Sequence, residues 1–172
     1  LSLRQAEASL GRALPPELAV VAYRSENRIG NCGTDAWTSA GGALSLWMLG
    51  MFTPSPTTVV FLPCDGEEVR AAVNSDYFGT LPDDRLSVSG RLVCLRIDGE
   101  FRSKIGLPAG RDTGLCGSYD AAAHHVTLVR YRRSVAGDRY VDSRWGAQAN
   151  PFGGDVVNAY NDGPCLLYTS PS

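Results

Sequence analysis

The stretch "RLVCLRIDGEFRSKIGL", residues 91–107, decides the fold. Its first part, "RLVCLRI" (91–97), follows a turn at Ser89-Gly90 and reads as a strand. The "DGE" after it is turn chemistry. "FRSKIGL" (101–107) then alternates cleanly. Side chains along a strand point to opposite faces in turn. Arg102 and Lys104 therefore share one face, while Phe101, Ser103, Ile105 and Leu107 take the other.

The same signal recurs on both sides. "LAVVAYRS" (18–25) is apolar on both faces, as a buried strand is. "ALSLWML" (43–49) sets Leu44, Leu46 and Met48 against Trp47. "TTVVFLP" (57–63) is β-branched and bounded by prolines. "HVTLVRYR" (125–132), "RYVDSRW" (139–145) and "DVVNAY" (155–160) complete the predicted strands. Turn residues such as "CDG", "AGD", "GG" and "NDG" fall between most of them. Helical signal is sparse. "SLRQAEASLG" (2–11) has Ser2 and Gln5 placed for a capping box and Gly11 for the stop. "EEVRAAVNSDYF" (67–78) could hold a second short helix. Many short strands with little helix predict an all-β, antiparallel two-sheet sandwich with a short N-terminal helix.

The chain has 172 residues, 44% of them hydrophobic, enough for one domain or a large piece of one. A formal net charge of -2, with scattered cations, carries no footprint for nucleic acid. No apolar run approaches the roughly 20 residues that span a bilayer. None of the five cysteines forms a C-x-x-C pair or sits near histidine at zinc-like spacing, so no metal and no cofactor is expected. Buried thiols are the simplest reading of Cys32, Cys64, Cys94 and Cys116; their spacing leaves the disulfide state open.

Two polar strand faces are the candidate chemistry. Arg102 and Lys104 stand roughly 6.8 Å apart, two strand rises. Both supply only donors, suited to a carboxylate or to sugar hydroxyls; the alternative is a solvated outer face. Asn158 and Tyr160 share a face of "DVVNAYNDG" and offer donor, acceptor and ring, or an ordinary cross-strand pair. Trp37, Trp47 and Trp145 could stack on pyranose rings, with Trp47 expected in the core and Trp145 at the surface. His124 and His125 are expected on a surface turn, and Asp83-Asp84 and Glu67-Glu68 in solvated loops. No catalytic residue is assigned.

Read together, these segments resemble a known pattern. "ENRIGNCGTDAW" (26–37) followed by "GALSLWMLGMFTPSPTTVVFLP" (42–63) is similar to the galactose mutarotase-like β-supersandwich. "FRSKIGLP", "LCGSYDAAAHHVTLVRY" and "GGDVVNAYNDGP" follow in the expected order. Residues 1–164 resemble an uncharacterised bacterial family, a domain of unknown function, through "WMLGMF", "YFG", "DRL", "RSKIGL", "GSYD" and "VVNAYNDGP". The resemblance implies a partial supersandwich with a sugar-facing groove. It also implies an exported protein whose full-length members are longer on both sides.

Aldose epimerases of that superfamily use a C-terminal glutamate and a histidine on the strand that here reads "LSLWMLGMF". No histidine stands in that stretch. The expected function is thus carbohydrate binding or processing, with Arg102, Lys104, Asn158 and Tyr160 contacting a mono- or oligosaccharide. The alternatives are an aldose 1-epimerase with an acid other than histidine, and a non-catalytic structural sandwich.

The last eight residues, "CLLYTSPS" (165–172), resemble the in-frame translation of a transposase adapter used in sequencing libraries. They are expected to be foreign, and residues 1–164 an internal fragment of one sandwich domain. The same eight codons found in genomic context by an independent read would overturn that. A sandwich without flanking strands is expected to be poorly stable or aggregation-prone.

Overall fold

The computed structural model describes residues 1–38, 44–142 and 149–163. The chain divides into two compact units, Leu1–Gly50 and Met51–Ser172. Trp145 and the 165–172 tail lie outside the described residues.

In the first unit, α1 (Leu3–Leu10) forms as its caps dictate. The Ser2 backbone N–H donates to Gln5 Oε1 at 2.7 Å, and the Gln5 N–H donates back to Ser2 Oγ at 3.3 Å. Gly11 closes the helix in the left-handed region at φ 68°. The predicted strands at 18–25 and 44–49 are not observed. Trp47, expected in the core, is 76% exposed. β propensity describes fit to a paired, half-buried pleated surface, and these segments join no ladder among the described residues.

The second unit carries every strand of the two sheets. β1 (Thr58–Pro63), β2 (Leu86–Ser89), β3 (Leu92–Arg96), β5 (Leu115–Asp120) and β6 (His125–Arg130) form one sheet in the order β2-β3-β1-β5-β6. β4 (Ser103–Leu107) and β7 (Val157–Asn161) form the other. Within both sheets the strand pairings of the described residues are antiparallel, and the fold is the predicted two-sheet sandwich, which is open. β2 and β5 go beyond the predicted set. Of 139–145, only Tyr140 pairs, as an isolated bridge to Gly153; 143–145 lie outside the described residues. Of 67–78, only α2 (Val69–Ala72) is helical. Its N-terminal neighbour Glu68 sits at φ 50° and gives no side-chain cap.

Alternation places the core. Val60 faces the same side as Leu95, and Leu62 the same side as Val93, by their register. These side chains pack with Ile97, Ile105, Leu107 and Ala159, so both sheets contribute to one cluster. Each fully buried Val, Leu or Ile stabilises the sandwich by about 1.5–3 kcal/mol. The outward residues meet water: Asp83, Asp84, His124 and His125 are exposed, as expected.

A buried polar knot ties the two sheets together. Asp98, in the turn after β3, has a fully buried side chain. Its Oδ1 accepts from the Glu100 N–H at 3.0 Å and from the Asn161 amide at 3.1 Å. Asn161 Oδ1 in turn accepts from the Gly99 N–H at 2.9 Å. Arg85 donates to Asp98 Oδ2. Arg96 Nε lies 3.1 Å from the same oxygen as an ion pair, without hydrogen-bond alignment. The residues that close β7 are thereby fixed to the start of β2 and the end of β3.

The four described cysteines are free thiols. Of the buried thiols expected, Cys64 is buried and Cys94 and Cys116 are half-buried, whereas Cys32 is exposed, against the expectation. Burial pushes the Cys94 thiol up and the Cys116 thiol up to about 11. Thiolate is the reactive form. Maleimide labelling of the native chain at pH 8 will modify Cys32 first among the four, with Cys64, Cys94 and Cys116 following only on unfolding. Fast labelling of Cys116, mapped by mass spectrometry, would contradict this packing.

Candidate functional site

The register of the small sheet builds the site. Lys104 lies opposite Tyr160 and Gly106 opposite Asn158. Ile105 pairs with Ala159 and Ser103 with Asn161, and these four are buried. The period of two therefore leaves Arg102, Lys104, Asn158 and Tyr160 on the outer face.

These groups are organised by hydrogen bonds and rings. Arg102 Nε donates to Tyr160 Oη at 2.9 Å, and Tyr160 Oη donates to Asp162 Oδ1 at 3.0 Å. Gly163 makes that relay possible. It sits at φ 72°, and a Cβ there would lie 2.9 Å from the Arg102 backbone nitrogen. Burial raises the Tyr160 pKa, Asp162 adds to the rise and Arg102 opposes it. The phenol thus keeps its proton at neutral pH.

Tyr77 and Phe78 cover one side of the face. The Arg102 guanidinium lies 5.0 Å from the Phe78 ring centroid, and Lys104 Nζ lies 4.6 Å from that of Tyr77. Phe78 also meets Tyr160, with centroids 5.7 Å apart. Cation–π contacts of this kind hold long side chains in place. Asn158 is exposed, and its amide has no hydrogen-bond partner among the described residues.

Beside Lys104 the face dips into a small polar cleft, whose side chains include Asn74, Tyr77, Lys104, Asp142 and Asp155. Its floor is backbone. Asn74 and Gly106 exchange main-chain hydrogen bonds of 3.0 and 2.8 Å. Asn74 Nδ2 also donates to Asp155 Oδ2 at 2.9 Å. The Asp155 carboxylate sits directly on Gly106, where a Cβ would come within 2.7 Å of Asp155 Cβ and closer still to its carboxylate. The far wall is held by Asp142 N–H to Pro151 O at 2.9 Å and Gly154 N–H to Tyr140 O at 3.0 Å. Among the described residues, no group of three or more His, Cys, Asp or Glu is arranged to hold a metal ion.

A family model described as a family of unknown function (DUF6786) matches residues 1–169. The chain belongs to that family. No curated protein and no solved structure matches it.

In this DUF6786 chain the four residues singled out from the sequence, Arg102, Lys104, Asn158 and Tyr160, come together on one face. The strand period within β4 and within β7 separately predicts their sides. Sequence reasoning missed Asn74, Tyr77 and Phe78 because they follow α2 in an irregular segment. It missed Asp155 and Asp142 because long-range contacts, not local pattern, bring them in. Trp37 and Trp47 belong to the first unit, and Trp145 lies outside the described residues. No helix among the described residues is long and apolar enough to cross a membrane.

Proposed function

We propose that the outer face of β4 and β7 binds carbohydrate. One observation carries this reading: a single face holds an Asn158 amide without a hydrogen-bond partner among the described residues, the Arg102–Tyr160–Asp162 relay and the rings of Tyr77 and Phe78. A sugar presents hydroxyls that both donate and accept, and a patch of C–H groups that stacks on an aromatic ring. Amide, phenol, guanidinium and carboxylate meet the first requirement and the two aromatics the second. The resemblance to galactose mutarotase-like sandwiches supports the same reading, and with it an exported bacterial protein.

The test is titration calorimetry with a panel of mono- and oligosaccharides. Asn158→Ala and Tyr160→Phe each remove one hydrogen-bonding group and will weaken binding about 5- to 10-fold, for a bond worth about 1–1.4 kcal/mol. Exposed substitutions of this kind move stability by about 0.5 kcal/mol or less. Binding that is unchanged in both variants would overturn the assignment. A panel with no binder would favour a purely structural sandwich.

A second reading has its own observation. Asp142, Asp155 and Lys104 meet in one cleft, so proton-transfer groups adjoin the binding face. Ring opening and closure of an aldose needs a base at the anomeric hydroxyl and an acid at the ring oxygen. An aldose 1-epimerase with an acid other than histidine would accelerate mutarotation followed by polarimetry, and Asp155→Asn would abolish the acceleration. An uncatalysed rate with the wild-type chain would remove this reading and leave binding alone.

A further inference from the structure

Resting on the carbohydrate reading, the state of Arg102 narrows what the face takes. A guanidinium carries five N–H donors and no acceptor. Arg102 uses one of them, Nε, which donates to Tyr160 Oη at 2.9 Å. Its four terminal N–H groups make no hydrogen bond among the described residues, and the side chain is exposed. Asp162 stands one position beyond the paired Ser103 and Asn161, on the Arg102 side. Its Oδ1 accepts from Tyr160 Oη at 3.0 Å instead of from Arg102, on which it acts only through its charge.

The guanidinium is nevertheless held in place. Tyr160 fixes the Nε side, and the guanidinium carbon lies 5.0 Å from the Phe78 ring centroid. Phe78 is itself packed on Tyr160, with centroids 5.7 Å apart. A fork positioned in this way loses little freedom when it binds. A carboxylate fits its open edge: two parallel N–H···O bonds match two oxygens, and charge-assisted bonds are roughly twice as strong as neutral ones. Asp142 and Asp155 line the cleft with Lys104, Ile105 and Gly106, further along β4. The carboxylate that opposes an anion on Arg102 is Asp162, to which Tyr160 already donates.

We infer that the sugar this face accepts is acidic: a uronic acid or an oligomer containing one, its carboxylate on the terminal nitrogens of Arg102 and its hydroxyls toward Tyr160 and Asn158. Matched pairs isolate the effect. Glucose and glucuronate, or galactose and galacturonate, differ only in whether C6 is a hydroxymethyl group or a carboxylate.

The experiment is calorimetry on the full chain with both pairs near neutral pH, at salt of about 10 mM and about 1 M, where the screening length falls from about 30 to about 3 Å. The uronate binds about 3- to 10-fold tighter than its neutral partner at low salt, the range for an exposed charge pair made bidentate. That ratio falls toward one at high salt and in Arg102→Gln, which has neither the charge nor the fork. The salt arm needs no variant, so it decides the matter even where Arg102→Gln fails to fold. Uronates bound no tighter than their neutral partners at low salt overturn the inference while leaving the carbohydrate reading intact. A preference that survives in folded Arg102→Gln also overturns it, since the carboxylate would then sit elsewhere. Binding by none of the four sugars overturns it as well, and silence of the wider panel in addition overturns the carbohydrate reading itself.

Discussion

Asp98→Ala lowers the unfolding free energy by about 3–5 kcal/mol, the cost of removing one partner from a buried ion pair. The substitution takes the Asp98 carboxylate from Arg85 and Arg96, leaving Arg85 only the exposed Asp84 at 3.9 Å, and it removes the acceptor for the Glu100 N–H and the Asn161 amide. A domain of this class is stable by only about 5–15 kcal/mol, so the loss is a large share of the total. The consequence reaches the site, because Asn161 closes the strand that carries Asn158 and Tyr160.

The pH dependence reports the same knot. Burial alone would raise the Asp98 pKa, but hydrogen bonds from Glu100, Asn161 and Arg85 outweigh it and bring it from 3.8 to about 2. A carboxyl group with a depressed folded-state pKa contributes stability that is complete above its unfolded pKa. That contribution is lost as pH falls from about 4 through about 2. Urea denaturation across this window will show a steep fall for the wild type and a shallower one for Asp98→Ala. Equal acid slopes, or a variant within about 1 kcal/mol of wild type at pH 7, would contradict the role given to this knot.

Gly106→Ala disrupts the site more directly. The new Cβ would occupy the space of the Asp155 side chain, coming within 2.7 Å of its Cβ. Gly106 is hydrogen-bonded on one side to Asn74 and paired on the other with Asn158, so its backbone has little room to retreat. Overpacking of this kind costs about 1–3 kcal/mol. Asp155 must leave its bond to Asn74, and sugar affinity falls by more than about tenfold as the cleft loses its fixed acceptor. A double-mutant cycle separates this steric conflict from general damage. Gly106→Ala in an Asp155→Gly background regains most of the lost stability, because both the carboxylate and the Cβ that the new methyl group meets are gone. Additive losses would show that the two residues do not compete for space.

The elements that local pattern controls were legible in the sequence. Ser2, Gln5 and Gly11 specify α1 by hydrogen bonds within a few residues. The alternation of "FRSKIGL" and "DVVNAY" assigns each side chain of β4 and β7 to its face. Pairing of β4 with β7 is a different matter, because their paired residues lie 50 to 58 positions apart and no local signal encodes the register. The Asp98–Asn161 bond spans 63 positions and the Asn74–Asp155 bond 81. For the same reason the strand-like composition of 18–25 and 44–49 misled: apolar residues favour a ladder only where a neighbouring strand supplies one. Tyr77 and Phe78 were visible only as part of a weak helical signal, and their role comes from packing against Arg102, Lys104 and Tyr160.

The most direct test of the carbohydrate face follows the Arg102 Nε–H resonance by NMR during titration with mono- and oligosaccharides. Its hydrogen bond to Tyr160 gives it a distinct environment at the centre of the face. A saturable shift of this signal and of the Asn158 side-chain amide, with its midpoint moved to about 5- to 10-fold higher sugar concentration in Tyr160→Phe, is the result that carbohydrate binding at β4 and β7 requires. Saturable shifts confined to the five-stranded sheet, or no shift with any sugar, would contradict it.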